Sequence, residues 1–291
     1  MTEKRPIIEI SNLSFTYTTA EQPALKNINL TIFEGEYVAI LGLNGSGKTT
    51  LLLTLNGVVP NMIMGDTEGT VIIDGKDTAD HPVREMAKVV GMVFDNPEFQ
   101  LSQMSVAEEI ALGLENLGIP PEQMHRDIAE VLDIVGLTGL DDRSPFGLSG
   151  GQQQRLSIAS ALAMKPKILV MDEPTSNVDP IGKEEIFAVA DRLNRERGMT
   201  VIMAEHEVEV MAAYADRILV IDKGEIVLNG SPAQVFRQVE TLKKIGLRVP
   251  QVTELAYKLD QQGLAEKNNL YPVTISEAIE ELNVKYGHGE E

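Results

Sequence analysis

An α/β fold with an antiparallel β subdomain, a helical insertion and a small C-terminal helical extension is predicted by three features of this sequence. A glycine-rich segment, GLNGSGKT at residues 42–49, lies between an apolar run of strand type and a helix-forming stretch. After Pro166, apolar strand-like runs alternate with helical spacing, the pattern of a sheet covered by helices. Two stretches, from Pro97 to about Lys165 and beyond about Phe236, have helical periodicity.

The chain opens with IIEISNLSFTY and ALKNINLTIFEGEYVAIL, which alternate apolar and polar residues and break at Glu34-Gly35, as half-buried antiparallel strands do. The last part, EYVAIL at 36–41, leads into the glycine-rich segment, and TTLLLTLNG after Lys48 reads as a helix stopped by Gly57. TVIIDG predicts a strand ending at Gly75, and VVGMVF at 89–94 predicts a buried one. In the insertion Val106, Ile110 and Leu114 recur at four-residue steps, and Ile128, Val131, Leu132 and Val135 follow at three, one and three. Strands return at KILVMDE (167–173), TVIMAEH (200–206) and RILVIDKGEIV (217–227), the first two separated by a helix around 182–197. VTELAYKLDQQG and ISEAIEELNV then have helical spacing, with Val252, Leu255, Ala256 and Leu259 along one face. The expected organisation is a main domain over residues 1–236, its helical subdomain at about 97–165, and an extension at 237–291.

With 291 residues the chain can bury a sizeable core, and its net charge of −19 argues against non-specific binding to nucleic acid or to an anionic membrane surface. The acidic residues are spread out and read as solvated surface. The absence of cysteine excludes disulfides, thiol nucleophiles and cysteine metal sites, and the four scattered histidines argue against a histidine metal cluster. No apolar run approaches the ~18 residues of a membrane span, and MTEKRPIIEI lacks a signal-peptide core, so a cytosolic location is expected.

Residues 42–49 fit G-x-x-x-x-G-K-[ST], a phosphate-binding loop, and predict a nucleoside triphosphate as ligand. The glycines let the backbone curl with its N–H groups inward, Lys48 supplies a compact cation for the β and γ oxygens, and Thr49 offers a hydroxyl to Mg²⁺. The helix that follows turns its N-terminus toward the phosphates. Gly42, Leu43, Asn44, Gly45, Ser46, Gly47, Lys48, Thr49 and Thr50 are the expected contact residues. At the exit of ILVMDEP, Asp172 is the candidate to hold Mg²⁺ and Glu173 the candidate to polarise an attacking water. Alone, such an acidic pair is an ordinary polar strand end; downstream of a phosphate loop it reads as chemistry. Ser149, Gly150, Gly151 and Gln152 precede a helix and form a second anion-binding end. With one lysine-bearing loop in the chain, that second end implies a nucleotide held by another subunit.

LSGGQ at residues 148–152, about twenty residues before the ILVMDE strand and about a hundred after the lysine loop, resembles the signature of ATP-binding cassette (ABC) ATPases, which are P-loop NTPases. The resemblance covers Ile7 to about Phe236. It implies ATP and Mg²⁺, with Tyr17 stacking on adenine, SNVD at 176–179 forming the loop that ends in Asp179, and His206 contacting the γ-phosphate. From the residues alone Tyr17 on a strand could simply be half-buried β surface; the resemblance favours stacking on adenine. The family's head-to-tail dimer implies an ATP between the lysine loop of one subunit and the Ser149 to Gly151 segment of the other. One position departs from the pattern: where the family has glutamine after the strand VVGMVF, this chain has Asp95. Aspartate keeps an acceptor for Mg²⁺, loses a donor and adds negative charge near Glu173, so slower hydrolysis or sharper Mg²⁺ dependence is expected. Gln100 and Gln103 lie nearby, and no spacing argument puts either in the vacant role.

FDNPEFQLSQMSVAEEIALGLENLGIP, YADRILVIDKGEIVLNGSP and LRVPQVTELAYKLDQQG resemble segments of the ATPases of energy-coupling factor (ECF) transporters, which take up vitamins or cobalt and nickel ions. This implies a peripheral protein on the cytoplasmic face of the cell membrane, a homodimer or a heterodimer with a sister ABC ATPase, bound to an ECF-type transmembrane coupling subunit and a substrate-binding membrane subunit. Hydrolysis would proceed by in-line attack of water, with Lys48, Glu173 and His206 as catalytic residues and Thr49, Asp172 and Asp95 at the metal. Two alternatives stay open, the ATPase of another ABC transporter type and a non-transport ABC ATPase. A single cassette, the lack of a long heptad segment and the acidic balance argue against the second.

Overall fold

The computed structural model describes residues 5–264 and 271–286. In chain order the elements are β1 (Pro6–Tyr17), β2 (Leu25–Phe33), β3 (Tyr37–Leu41), α1 (Lys48–Leu55), α2 (Val58–Asn61), β4 (Gly65–Ile73), β5 (Lys76–Asp77), α3 (Val83–Met86), β6 (Val90–Val93), α4 (Val106–Asn116), α5 (Pro121–Ile134) and α6 (Gly150–Ala163). They continue with β7 (Ile168–Asp172), α7 (Pro180–Arg197), β8 (Thr200–Ala204), α8 (Val208–Tyr214), β9 (Arg217–Asp222), β10 (Glu225–Gly230), α9 (Pro232–Phe236), α10 (Val239–Lys244), α11 (Gln251–Gln261) and α12 (Ile275–Tyr286). Among the described residues no helix is long and apolar enough to cross a membrane.

Two sheets organise these elements. Strands β2-β1-β4-β5 form an antiparallel sheet, whose alternating burial follows the apolar-polar alternation read from IIEISNLSFTY and LKNINLTIF. The second sheet has the order β10-β9-β3-β8-β7-β6, with β9, β3, β8, β7 and β6 parallel and β10 closing a hairpin on β9. The sequence pattern grouped EYVAIL with the antiparallel strands; the structure instead carries the chain across at Gly35 and inserts β3 into the parallel sheet. All five residues of β3 are buried, because YVAIL is apolar at every position and can face a core on both sides. Tyr37, Ala39 and Leu41 enter one apolar core with Val201 and Met203, while Val38 and Ile40 enter the other with Ile202 and Ala204.

The helical insertion is built on the periodicity in its sequence. Ser105 and Glu108 form a reciprocal capping box at the start of α4, and Val106, Ile110 and Leu114 are all buried. Helix α6 touches α4, α5, α7 and strand β6, so it joins the helical layer to the parallel sheet. Beyond Phe236, Val239, Leu242, Val249, Tyr271 and Val273 enter the same core as β3 and β8. Of Val252, Leu255, Ala256 and Leu259 on α11, Ala256 packs against the core but Leu255 is 60% exposed and Leu259 is exposed, while Thr253 and Asp260 are buried. Hydrogen bonds decide the rotation, since Thr253 Oγ1 donates to Pro272 O at 2.6 Å and Tyr271 Oη donates to Asp260 Oδ2 at 2.5 Å.

Candidate active site

Because β3, β8, β7 and β6 lie side by side and parallel, their carboxyl ends deliver four loops to one edge of the sheet. The glycine-rich loop follows β3, Glu205 and His206 follow β8, Glu173 follows Asp172 at the end of β7, and Phe94 and Asp95 follow β6. A cavity of about 450 Å³ opens there, lined by Asn44, Gly45, Gly47, Lys48, Thr49 and Thr50 from the loop and α1, by Asp95, Asp172 and Glu173, and by Tyr17 from the antiparallel sheet. Gly47 has a φ of +113°, and a Cβ there would fall 2.6 Å from Ala24 O, so the approach of the loop to Ala24 requires glycine.

Lys48 is buried. Its ammonium donates to Gly42 O at 2.9 Å and to Leu43 O at 3.4 Å, and lies 3.1 Å from Glu173 Oε1. The same carboxylate oxygen meets His206 Nε2 at 2.9 Å. Glu173 itself has a φ of +45°, a left-handed conformation held by Glu173 N donating to Ala204 O. Tyr17 Oη and Thr50 Oγ1 share a hydrogen bond at 2.8 Å, and the Tyr17 ring sits edge-on to Phe15.

Asp172 is 5% exposed, and its Oδ1 is buried with no hydrogen-bond partner. Burial pushes its carboxyl up; a hydrogen bond from Thr49 opposes this, the charges of Glu173 and Asp95 add to it, and Lys48 opposes it. An orphaned carboxylate oxygen beside a threonine hydroxyl offers oxygen donors of the kind a hard divalent cation accepts, and among the described residues no three carboxylate or imidazole side chains converge on one point. Thr49, Asp172 and Asp95 could hold such an ion here.

Other sequence candidates lie outside this cavity. Ser149 caps α6, its Oγ accepting from Gln152 N at 3.3 Å while Gln152 Oε1 accepts from Ser149 N at 3.0 Å. Gly150 and Gly151 pack on residues 177–182: a Cβ on Gly150 would lie 3.1 Å from Asn177 O, and one on Gly151 would lie 3.2 Å from Gly182 Cα. Asp179 caps α7 by accepting from Gly182 N at 2.9 Å. Gly42, Leu43 and His206 line a second cavity of about 230 Å³ with Glu205. Gln100 accepts from Phe94 N and donates to Met92 O, and Gln103 donates to Ser102 Oγ, so each side chain is engaged with other partners.

Two polar residues that sequence reasoning passed over hold these loops. Gln154, fully buried in α6, donates to Phe94 O at 2.9 Å and ties the signature helix to the residue before Asp95. Glu205, 3% exposed, accepts from Thr175 Oγ1 at 2.6 Å, Thr175 N at 3.1 Å and His206 N at 2.9 Å. A glutamine inside the run QQQR and a glutamate before a histidine carry no motif signal; only a polar residue at the end of an apolar strand hinted at Glu205.

A protein-family description for ABC transporters matches residues 25–176. The energy-coupling factor transporter ATP-binding protein EcfA2 of Clostridium perfringens is 44% identical over 282 residues, covering 94% of this chain and 96% of that protein. Among solved structures, cbiO1 of Clostridium perfringens, described as part of the ABC transporter complex cbiONQ, superposes with a TM-score of 0.73 at 33% identity, over 87% of this chain and 99% of that one. The ATP-binding cassette MJ0796, seen as a dimer in a post-hydrolysis state with ADP and Pi, gives a TM-score of 0.68 at 32% identity, over 77% of this chain and 98% of that one.

Proposed function

Because this chain belongs to the ABC transporter ATP-binding proteins, we propose that it is the ATPase of an ECF-type importer of a vitamin or of cobalt or nickel ions. As an ABC ATPase it hydrolyses ATP to drive transport. The observation that carries the mechanistic reading is the meeting of Lys48 and His206 on one oxygen of Glu173 at the wall of the nucleotide-sized cavity. The ECF assignment rests on similarity to EcfA2 that extends through the C-terminal segment.

In this reading the N–H groups of the loop and Lys48 bind the β- and γ-phosphates of ATP, and Tyr17 offers its ring to adenine. Lys48, released from Glu173, neutralises the γ-phosphate charge. Glu173 then orients the attacking water and takes its proton as the water oxygen bonds to the γ-phosphorus and the bond to ADP breaks, and His206 orients Glu173 or donates to a γ-phosphate oxygen. Mg²⁺, when held by Thr49, Asp172 and Asp95, supplies charge neutralisation across the phosphates. Ser149 in its capping box accepts through Oγ and keeps its proton to donate, which suits the Ser149 to Gly151 end to the ATP of a second subunit. Closure of that dimer and its reopening after hydrolysis would move a membrane coupling subunit seated beside the loop after Phe94. The protein would lie on the cytoplasmic face of the membrane within that complex.

Affinity purification of the assembled complex from membranes tests the proposal. An ECF-type transmembrane subunit with a small substrate-binding membrane protein is expected to co-purify; the transmembrane subunits of another ABC transporter type would overturn it.

A further inference from the structure

We propose that Glu205 is a positioning residue for catalysis: its buried carboxylate clips the turn that carries Glu173 to the loop that carries His206, and so sets the spacing at which those two side chains meet. The proposal rests on the reading of Glu173 and His206 given above.

The geometry is a two-sided tie. Glu205 leaves the end of β8 with its own N–H donating to Ile40 O, so its backbone is fixed to the strand that leads into the phosphate loop. One carboxylate oxygen takes both the N–H and the hydroxyl of Thr175, and the other takes the N–H of His206. Thr175 is 1% exposed and stands two residues after Glu173. The turn between them needs holding, because Glu173 has the left-handed φ that an ordinary residue keeps only when its surroundings over-determine it. The backbone contact from Glu173 N to Ala204 O fixes the start of that turn, and the Thr175 contacts to Glu205 fix its end.

A buried apolar residue would fill the same space without desolvating a charge. The carboxylate is instead used on both oxygens, by three donors and no acceptor, which favours its ionised form against the burial that pushes its carboxyl up. Glutamine can keep the acceptor facing Thr175, but its amide then opposes the His206 N–H, two donors facing each other. Alanine removes both ties.

The test compares Glu205→Gln, Glu205→Ala and Thr175→Val with the parent and with Glu173→Gln, all in the full chain. Steady-state ATPase kcat and KM, equilibrium binding of an anthraniloyl-labelled ATP and thermal midpoints are measured. The clip predicts that kcat falls about 10- to 100-fold in the Glu205 variants, as small misplacements of reacting groups do. KM and nucleotide affinity should stay within about threefold of the parent, and Glu205→Gln should lose less than Glu205→Ala. Folded Glu205 variants with parental kcat overturn the proposal. So does a parallel loss of kcat, affinity and thermal midpoint, which marks a residue that only supports the fold. If Glu205→Ala does not fold, Glu205→Gln and Thr175→Val decide the matter on the same criteria. Parental turnover in Glu173→Gln overturns the underlying reading itself, whereas its loss beside unaffected Glu205 variants overturns the clip alone.

Discussion

Lys48 Nζ lies 3.1 Å from Glu173 Oε1, so the cation for the phosphates and the carboxylate for the water are paired with each other at the wall of the cavity. ATP must compete with Glu173 for that ammonium. Glu173→Gln removes the competitor and the base together. Nucleotide affinity should be kept or raised while turnover falls about 10²- to 10⁴-fold. Equilibrium binding and phosphate release measured on the same preparation check this; near-parental turnover would count against Glu173 as the base.

Lys48→Ala should weaken both binding and turnover. The substitution also removes the ammonium that donates to Gly42 O, while Leu43 O keeps the N–H of Ser46 at 3.1 Å, so the loop loses one internal brace as well as a charge. Unaltered ATP affinity in a binding titration would contradict the assignment.

Asp95 shares the cavity with Asp172 and Glu173 and adds to the charge that raises the Asp172 carboxyl. Replacing it with glutamine removes that charge. ATPase activity of Asp95→Gln across a Mg²⁺ titration should show faster hydrolysis or a shallower metal dependence than the parent. Superimposable curves would dispose of the idea that this residue tunes the site.

The hydroxyl of Tyr17 is committed to Thr50 at 2.8 Å, which connects the ring expected to meet adenine with the first turn of α1. Tyr17→Phe keeps the ring and loses that link, so ATP affinity should fall by about 2- to 10-fold, the equivalent of one hydrogen bond. Tyr17→Ala should cost more. Equal affinities for the two variants would show that the ring contributes nothing.

Asp74 joins the first sheet to the strand that ends in Asp172, through Arg5 at 2.7 Å and Lys167 at 2.6 Å. The hydrogen bond from Lys167 holds its carboxyl below the ordinary value of 3.8, and the charges of Lys167 and Arg5 act in the same direction. The folded protein therefore binds this proton less tightly than the unfolded chain. The ion pairs stabilise above about pH 4, and the contribution is lost as pH falls through the depressed value. Asp74→Asn should destabilise by no more than about 1 kcal/mol near neutrality, both cations being half exposed. Urea midpoints of parent and variant should converge in acid; a gap that persists unchanged to pH 3 would refute the linkage.

Much of the fold was legible because the chemistry of its parts is local. The G-x-x-x-x-G-K-[ST] spacing of the loop, the apolar runs before Glu173 and His206, and the steps of Val106, Ile110 and Leu114 each declare themselves within a few residues. What stayed hidden depends on partners far along the chain. YVAIL is short, and only the pairing of β3 with β8 and β9 shows that it left the first sheet. The front half of β4, GDTEG, is exposed and polar, and it is a strand because β1 pairs with it from Tyr17 to Ser14. The rotation of α11 is set by hydrogen bonds to residues 271 and 272, and Glu205 acquires its role only when Thr175 is folded beside it. Polar contacts between distant segments leave no periodic trace.

The close packing of Gly151 on Gly182 has a mechanical meaning in the proposed dimer. A Cβ on Gly151 would fall 3.2 Å from Gly182 Cα and one on Gly182 would fall 3.4 Å from Gly151 Cα, so the start of α6 and the start of α7 are in close backbone contact. In that dimer the stretch from Glu173 to Gly182 would connect the chain's own nucleotide site at one end with the face offered to its neighbour's nucleotide at the other. Two such connections, set head to tail, would join the two nucleotide sites through a few residues of backbone.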